Sequence, residues 1–223
     1  MIKLVAFDWN GTLLDDLWAT VQADNEAMRH YGLPPLSVRR YQQTFRVPIV
    51  DFWQNLGLDR RFYLAHHREI EKRYAAAYEL LADRCRPRAG AGALLNVLAR
   101  RRIGAVIYSN HTVSGVARTL RRLHLADFFD KILARMPGDY SHTRRRSKEQ
   151  KLAAYAAGLG LAPAEIISLG DTEEEIDVGR RRGYHTVAIG GGWNTAARLR
   201  RQRPDFFISR LTELSSIIKR LNR

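Results

Sequence analysis

Four short apolar runs, each ending at a polar or glycine-rich turn, constrain the fold of this chain most. They cover 2–7, 103–108, 166–169 and 186–189, and a fifth, weaker run covers 129–133. Helical patterns lie between them, at 92–101, 113–123, 148–158 and 174–182. Because such alternation is typical of parallel strands joined by crossover helices, we predict an α/β fold: a Rossmann-like parallel sheet with helices on both faces.

The segment 15–86 interrupts this alternation. It has no clear strand pattern, and its apolar residues recur at helical spacing over 17–31, 38–45, 50–56 and 62–81. Pro87 and Gly90 mark the return to alternating strands and helices. We therefore predict a core domain made of 1–14 and 87–223, with a helical cap domain, 15–86, inserted after the first strand.

Composition sets the broad class of the protein. Hydrophobic residues make up 45% of the 223 residues and charged residues 27%, which is typical of a globular chain. No apolar run approaches the roughly 20 residues that span a bilayer, and the N-terminus lacks the apolar stretch of a signal peptide. We expect a cytoplasmic protein with no membrane partner. The single cysteine, Cys85, excludes an internal disulfide.

The net charge of +14 is the one unusual compositional feature. Arginine pairs and triplets are scattered along the chain, as expected for a solvated surface, although they would also attract anions such as phosphorylated metabolites or nucleic acid. No recognisable nucleic-acid motif accompanies the charge, so nucleic acid is the less favoured partner. The sequence gives no signal for the oligomeric state.

Three polar residues stand where predicted strands end: Asp8, Ser109 and Asp171. Ligands of open parallel sheets bind beyond the carboxyl ends of the strands, so we expect these side chains to converge there. Two carboxylates at close range repel unless a cation lies between them, and oxygen ligands favour Mg²⁺ or Ca²⁺. The alternative is that each aspartate is an ordinary turn or helix-capping residue.

The ordered motifs resemble a known family. Asp8-Trp9-Asn10-Gly11-Thr12-Leu13, then Ser109-Asn110 after an apolar strand, then Lys148, then Gly170-Asp171 with Glu175 resemble the signature of the haloacid dehalogenase superfamily. The helical insertion after the first motif is similar to the cap of its phosphoglycolate-phosphatase-like branch. The resemblance runs over nearly the whole chain, but related caps serve many phosphorylated substrates.

The resemblance implies a Mg²⁺-dependent phosphatase. Asp8 would attack phosphorus and form an aspartyl-phosphate that water hydrolyses. Mg²⁺ would be held by Asp8, the backbone carbonyl of Asn10 and Asp171. Glu175 would hold a metal-bound water, with Asp177 as the less favoured alternative.

Further residues would bind the phosphoryl group or the rest of the substrate, a small phosphorylated metabolite. Ser109 and Asn110 would donate hydrogen bonds, Thr12 would fix the turn after the nucleophile, and Lys148 would supply positive charge. Lys151, one helical turn away, is the alternative lysine. In the cap, Arg46 could meet a second anionic group such as a carboxylate, or could simply be a surface arginine.

Asn10 departs from the family pattern. Phosphatases of this family usually carry an aspartate here, which serves as general acid and base, and an amide cannot do that work. Three explanations fit: a natural branch with another base or a good leaving group, a phosphate-binding protein with little turnover, or an engineered substitution. Asp15, Asp16 and His111 are the nearby candidates for a substitute base.

The sequence thus leaves three functional hypotheses. The leading one is a phosphatase acting on a small phosphorylated metabolite. The second is a catalytically weak phosphate-binding or regulatory protein, favoured by Asn10. The third is a phosphatase acting on nucleic-acid ends, favoured only by charge.

Overall fold

The computed structural model describes residues 1–136, 138–143 and 148–223. The basic cluster 144–146 lies outside the described residues. The described residues form eight strands: β1 (Leu4–Phe7), β2 (Leu14–Asp15), β3 (Arg86–Pro87), β4 (Gly104–Thr112), β5 (Lys131–Arg135), β6 (Ile166–Gly170), β7 (His185–Ile189) and β8 (Phe206–Ile208). They also form the α-helices α1 (Leu17–His30), α2 (Val38–Thr44), α3 (Ile49–Asn55), α4 (Arg60–Ala82), α5 (Ala91–Arg100), α6 (Val113–Arg122), α7 (Lys148–Gly158), α8 (Glu173–Arg182), α9 (Ala196–Arg201) and α10 (Leu214–Leu221).

Six strands form one parallel sheet in the order β5-β4-β1-β6-β7-β8. β1 is central, and its Val5 lies opposite Ala105 of β4 and Ile167 of β6. All four residues of β1 are buried, as expected for a strand covered by helices on both faces. The predicted Rossmann-like α/β fold is therefore confirmed.

The four helices α1–α4 form an insert between β2 and β3. These two short strands pair antiparallel, with Leu14 opposite Pro87 and Asp15 opposite Arg86, so the chain leaves and re-enters the core side by side. The insert has its own apolar cluster, whose largest buried side chains include Tyr41, Phe52, Trp53 and Tyr63.

Several elements of the C-terminal part were not predicted. The strand β8 has only three residues, too few to show an alternating pattern. The helix α10 places Leu214 and Ile218 one turn apart, and both are buried in the main core. No helix within the described residues is long and apolar enough to cross a membrane.

Candidate active site

Five of the predicted site residues form one buried cluster at the carboxyl edge of the sheet. Asp8 directly follows β1, and Asp171 directly follows β6. The Nζ of Lys148, the first residue of α7, lies 2.9 Å from Asp8 Oδ1. The hydroxyl of Thr12 lies 2.6 Å from Asp171 Oδ1 and 3.4 Å from Asp8 Oδ2, and so bridges the two aspartates. The fifth, Glu175, bonds to Lys148.

Lys148 lies at the centre of this cluster and contacts its acidic side chains. It is 2% exposed and contacts Asp8, Glu175 and, at 3.4 Å, Glu174. Although burial lowers the pKa of Lys148, the charges of Asp8 and Glu175 outweigh this and hold the pKa well above its usual range. The alternative, Lys151, bonds instead to the carbonyl of Ala134 at 2.7 Å. The structure therefore brings Lys148, and not Lys151, to Asp8.

Burial makes ionisation of Asp8 and Asp171 unfavourable. Burial raises the pKa of Asp8 well above its usual range despite the opposing charge of Lys148. Burial, followed by the charge of Glu175, raises the pKa of Asp171 to about 7. A cation between the two carboxylates would remove this cost.

Gly11 and Gly192 lie so close to the Asp171 side chain that neither position has room for a side chain of its own. A Cβ on Gly11 would lie 2.3 Å from Asp171 Oδ2, and one on Gly192 would lie 2.1 Å from the same atom. The backbone N–H of Trp193 donates to that oxygen at 2.5 Å. Two carboxylates and nearby backbone oxygens are a donor set that suits a hard divalent cation such as Mg²⁺.

The described residues contain no group of three or more His, Cys, Asp or Glu side chains arranged as metal ligands. A cation here would thus rely on Asp8, Asp171, backbone oxygen and water. Glu175 has both carboxylate oxygens engaged: Oε2 accepts from the N–H of Thr172 at 2.9 Å and from its hydroxyl at 2.6 Å, and Oε1 bonds Lys148. Its role toward a metal-bound water stays a prediction. Asp177 lies 3.7 Å from Arg180 on the surface of α8.

Ser109 and Asn110 lie where the register between β4 and β5 shifts, an irregularity that turns side chains out of the sheet pattern. Both line a cavity together with Asp8 and Lys148. Ser109 Oγ accepts from the N–H of His111 at 3.1 Å, and Asn110 Nδ2 donates to Glu174 Oε2 at 2.7 Å.

The structure does not bring Arg46 to this cavity. Arg46 is exposed and lines a separate surface depression with Glu173 and Arg181. Its neighbours Phe45 and Val47 are buried, so the arginine between them faces the opposite way.

Asn10 belongs to a hydrogen-bond network that the sequence did not reveal. Its Nδ2 donates to Asp16 Oδ2 at 2.6 Å and to the Tyr78 hydroxyl at 2.9 Å. The Tyr78 hydroxyl donates to the same Asp16 oxygen at 2.6 Å, and the N–H of Gly11 donates to Asp16 Oδ1 at 2.8 Å. Burial raises the pKa of Asp16, and these donors oppose that rise. Asp16 is thus a buried hydrogen-bond acceptor that holds the Asn10 amide in place.

The other two candidate bases differ from Asp16. Asp15 is exposed. His111 lines the cavity, and burial, with a smaller effect of the Arg135 charge, lowers its pKa to about 4. His111 is therefore neutral at pH 7.

The cavity above Asp8 extends into the insert, and sequence reasoning missed most of its walls there. These residues come from α1, α2 and α4 and from the segments after β5 and β7: Asp24, Tyr41, Glu71, Tyr74, Arg135, His142 and Trp193. They lie far apart in the sequence and share no motif, so only the folded chain shows that they meet.

This chain resembles known proteins over most of its length. Residues 2–183 match the sequence model of the haloacid dehalogenase-like hydrolases. A phosphoglycolate phosphatase of Chromobacterium violaceum is 26% identical over 225 residues, covering 98% of this chain and 97% of that protein. The pyrophosphatase PpaX of Bacillus mycoides is 21% identical, covering 99% of each.

Two solved structures share the fold. A haloacid dehalogenase-like hydrolase from Streptococcus pneumoniae has a TM-score of 0.80 at 20% identity, covering 97% of this chain and 98% of that one. A haloacid dehalogenase-like protein from Agrobacterium tumefaciens has a TM-score of 0.74 at 19% identity, covering 100% of both. The resemblance read from the motifs is thereby confirmed, and the chain belongs to the haloacid dehalogenase-like hydrolase family.

Proposed function

We propose that this protein is a Mg²⁺-dependent phosphatase that hydrolyses a small phosphorylated metabolite through an aspartyl-phosphate on Asp8. One observation carries the proposal: a buried Asp8 lies between the Lys148 ammonium, at 2.9 Å, and the Thr12 bridge to Asp171, at one end of a cavity. Relatives named phosphoglycolate phosphatase over nearly their full length support it.

In this proposal Asp8 and Asp171, with the backbone carbonyl of Asn10, would hold the metal, and Glu175 would orient a water beside it. Bound Mg²⁺ neutralises phosphoryl oxygens and thereby reduces their repulsion of Asp8. Thr12 fixes the two aspartates relative to each other through its hydroxyl.

The chemistry proceeds in two displacements. One Asp8 carboxylate oxygen attacks phosphorus, and the bond from phosphorus to the leaving alcohol breaks in line with the attack. Water then attacks the phosphorus of the aspartyl-phosphate, releasing phosphate and restoring Asp8. Lys148 remains protonated throughout and, with the Ser109 hydroxyl and Asn110, stabilises the phosphoryl oxygens.

Asn10 restricts the leaving group. Its Nδ2 is committed to Asp16 and Tyr78, so the amide presents its oxygen, which can accept a hydrogen bond but cannot supply a proton. General acid catalysis is typically worth about 10²- to 10⁴-fold, so esters with acidic leaving groups should turn over fastest.

The division into a core (1–14 and 87–223) and a cap (15–86) is part of the proposal. The insert helices contribute cavity walls opposite Asp8, which suits a cap that selects the substrate and excludes water. Arg46 has no substrate contact in this account, since it lines a separate depression.

A second candidate is a phosphate-binding protein of low turnover, and the Asn10 amide favours it. Phosphate release from p-nitrophenyl phosphate, with Mg²⁺ and with excess chelator, separates the two. We expect Mg²⁺-dependent release that Asp8→Asn lowers by about 10³-fold or more and that Asp15→Asn, which changes an exposed carboxylate in β2, leaves unchanged. Saturable phosphate binding by the wild type without any release would favour the second candidate.

A further inference from the structure

The cavity above Asp8 ends in a chamber inside the insert, here called the insert lobe and defined by Asp24, Tyr41, Glu71, Tyr74 and His142. In-line displacement places the leaving alcohol opposite the attacking Asp8 oxygen. The walls of the lobe come from the insert and from the segment after β5, whereas Asp8 follows β1 at the sheet edge, so the lobe faces Asp8 across the core–insert boundary. The alcohol part of the substrate therefore enters the lobe, an inference that rests on the proposed function.

The lobe contains two acids, the buried Asp24 and the partly buried Glu71, and the described residues supply a counter-charge only for Glu71. Glu71 Oε1 lies 3.2 Å from His142 Nε2, and Glu71 Oε2 lies 4.0 Å from Arg135. These partners outweigh burial and lower the pKa of Glu71. Glu71 thus has its counter-charge within the chain.

Asp24 has no such counter-charge within the part of the chain that the structure describes. It is 6% exposed, and none of the described lysines, arginines or histidines comes within ion-pair distance of its carboxylate. Its hydrogen-bond partner is the hydroxyl of Tyr41. Burial and the charge of Glu71 raise the pKa of Asp24 well above its usual range, a cost that a bound cation would offset.

Two further atoms on the same cavity wall lack a partner. His142 Nδ1 and Asn110 Oδ1 are buried without any hydrogen bond. The amide oxygen of Asn110 can only accept a hydrogen bond. Buried polar atoms are rarely left unpaired, which indicates a ligand that donates hydrogen bonds.

The other insert residues that line the cavity are apolar, and half of them are aromatic: Phe45, Val47, Ile49, Phe52, Trp53 and Ile70. Aromatic faces attract an ammonium group and add no positive charge that would repel it. A carboxylate would instead face Asp24 and Glu71 at close range, which is unfavourable.

We propose that the substrate is an aminoalkyl phosphate, whose terminal ammonium group is bound in the insert lobe by the carboxylate of Asp24. The lobe then selects against glycolate-type substrates, which end in a carboxylate, and against neutral alcohols, which leave the charge of Asp24 uncompensated.

Three esters of equal chain length test this proposal: 2-aminoethyl phosphate, 2-hydroxyethyl phosphate and phosphoglycolate. Their kcat/KM values are compared for the wild type and for Asp24→Asn, which keeps the shape and the acceptor for Tyr41. Glu26→Gln is the matched control, because Glu26 is an exposed acid on the same helix that pairs with Arg29.

For the wild type we expect kcat/KM for the amine to exceed that for the hydroxyl ester by about 10- to 100-fold, the usual effect of one charged hydrogen bond, with phosphoglycolate poorest. Asp24→Asn should bring the amine-to-hydroxyl ratio close to one, and Glu26→Gln should leave the ratio unchanged. Equal rates with amine and hydroxyl esters in the wild type, or an unchanged ratio in Asp24→Asn, would overturn the proposal.

If no ester and no p-nitrophenyl phosphate is hydrolysed, the proposed function itself fails, and calorimetry still tests the lobe. Binding of 2-aminoethyl phosphate to the wild type that weakens at least about tenfold in Asp24→Asn supports the ammonium site. Equal binding to both proteins, or no binding to either, refutes it.

Discussion

The two ends of the cavity handle buried charge differently. At the sheet edge, Lys148 lies among Asp8, Glu174 and Glu175, so the chain itself supplies the cation that these acids need. In the insert lobe, Asp24 has a tyrosine as partner and no cation among the described residues. Under the proposed function, the first end acts on phosphorus, and the second is completed by the ligand. The proposal thus assigns chemistry and selectivity to separate parts of the cavity.

Removing the cation at the sheet edge should have the largest effect. Lys148→Met leaves three buried acids without their partner, and losing one member of a buried ion pair typically costs about 3–5 kcal/mol. We expect the free energy of unfolding in urea to fall by about that amount and phosphate release to be lost. Lys151→Met, which removes a half-buried ammonium, should cost about 1 kcal/mol or less. Similar losses of unfolding free energy in both variants would contradict the claim that Lys148 compensates the three buried acids.

Adding a carboxylate to the hydrogen-bond network of Asn10 should have an intermediate effect on stability. Asn10→Asp places a second carboxylate at the 2.6 Å contact with Asp16, so one of the two must take up a proton. We expect a loss of about 1–3 kcal/mol in stability, as for an unsatisfied buried group.

The double variant Asn10→Asp with Asp16→Asn restores an amide–carboxylate pair. The carboxylate then stands at position 10, which lines the cavity. The double variant should recover stability and raise turnover of alkyl esters by about 10²-fold, the effect of a general acid. A double-mutant cycle on unfolding free energy and kcat measures both. Simple additivity of the two single changes would contradict direct coupling between Asn10 and Asp16.

The smallest expected effect is on the pH dependence of stability. It concerns Glu71, the acid of the lobe that has charged partners within the chain. The pKa of Glu71 is lowered in the folded protein, so its contribution is present above the unfolded pKa and is lost as pH falls through the folded pKa. Glu71→Gln should therefore lose less stability than the wild type between pH 7 and acidic pH in urea titrations. Glu69→Gln, an exposed acid on the same helix, should follow the wild type. Parallel curves for Glu71→Gln and the wild type would remove the assigned role of His142 and Arg135.

The sequence predicted the sheet edge better than the lobe, for a physical reason. Buried parallel strands such as β1 and β6 are continuous apolar runs, so their ends, and hence the placing of Asp8 and Asp171, follow from local pattern. The contact between Asp16 and Tyr78 joins residues 62 positions apart and depends on how α4 packs. The same holds for the lobe, whose Asp24 and His142 share no motif. Arg46 illustrates the converse, since its residue type suited an anion but its backbone position faces it away from the cavity.

The chain leaves and re-enters the core at one place, and this has a consequence for how related chains can diversify. The strands β2 and β3 carry the chain out and back as adjacent antiparallel partners, so the two crossing points are separated by only about 5 Å, one strand spacing. A segment of almost any length can be spliced in there without changing the order of the six sheet strands. Under the proposed function, exchanging this one contiguous stretch would replace most of the lobe, while the residues proposed to act on phosphorus would keep their places.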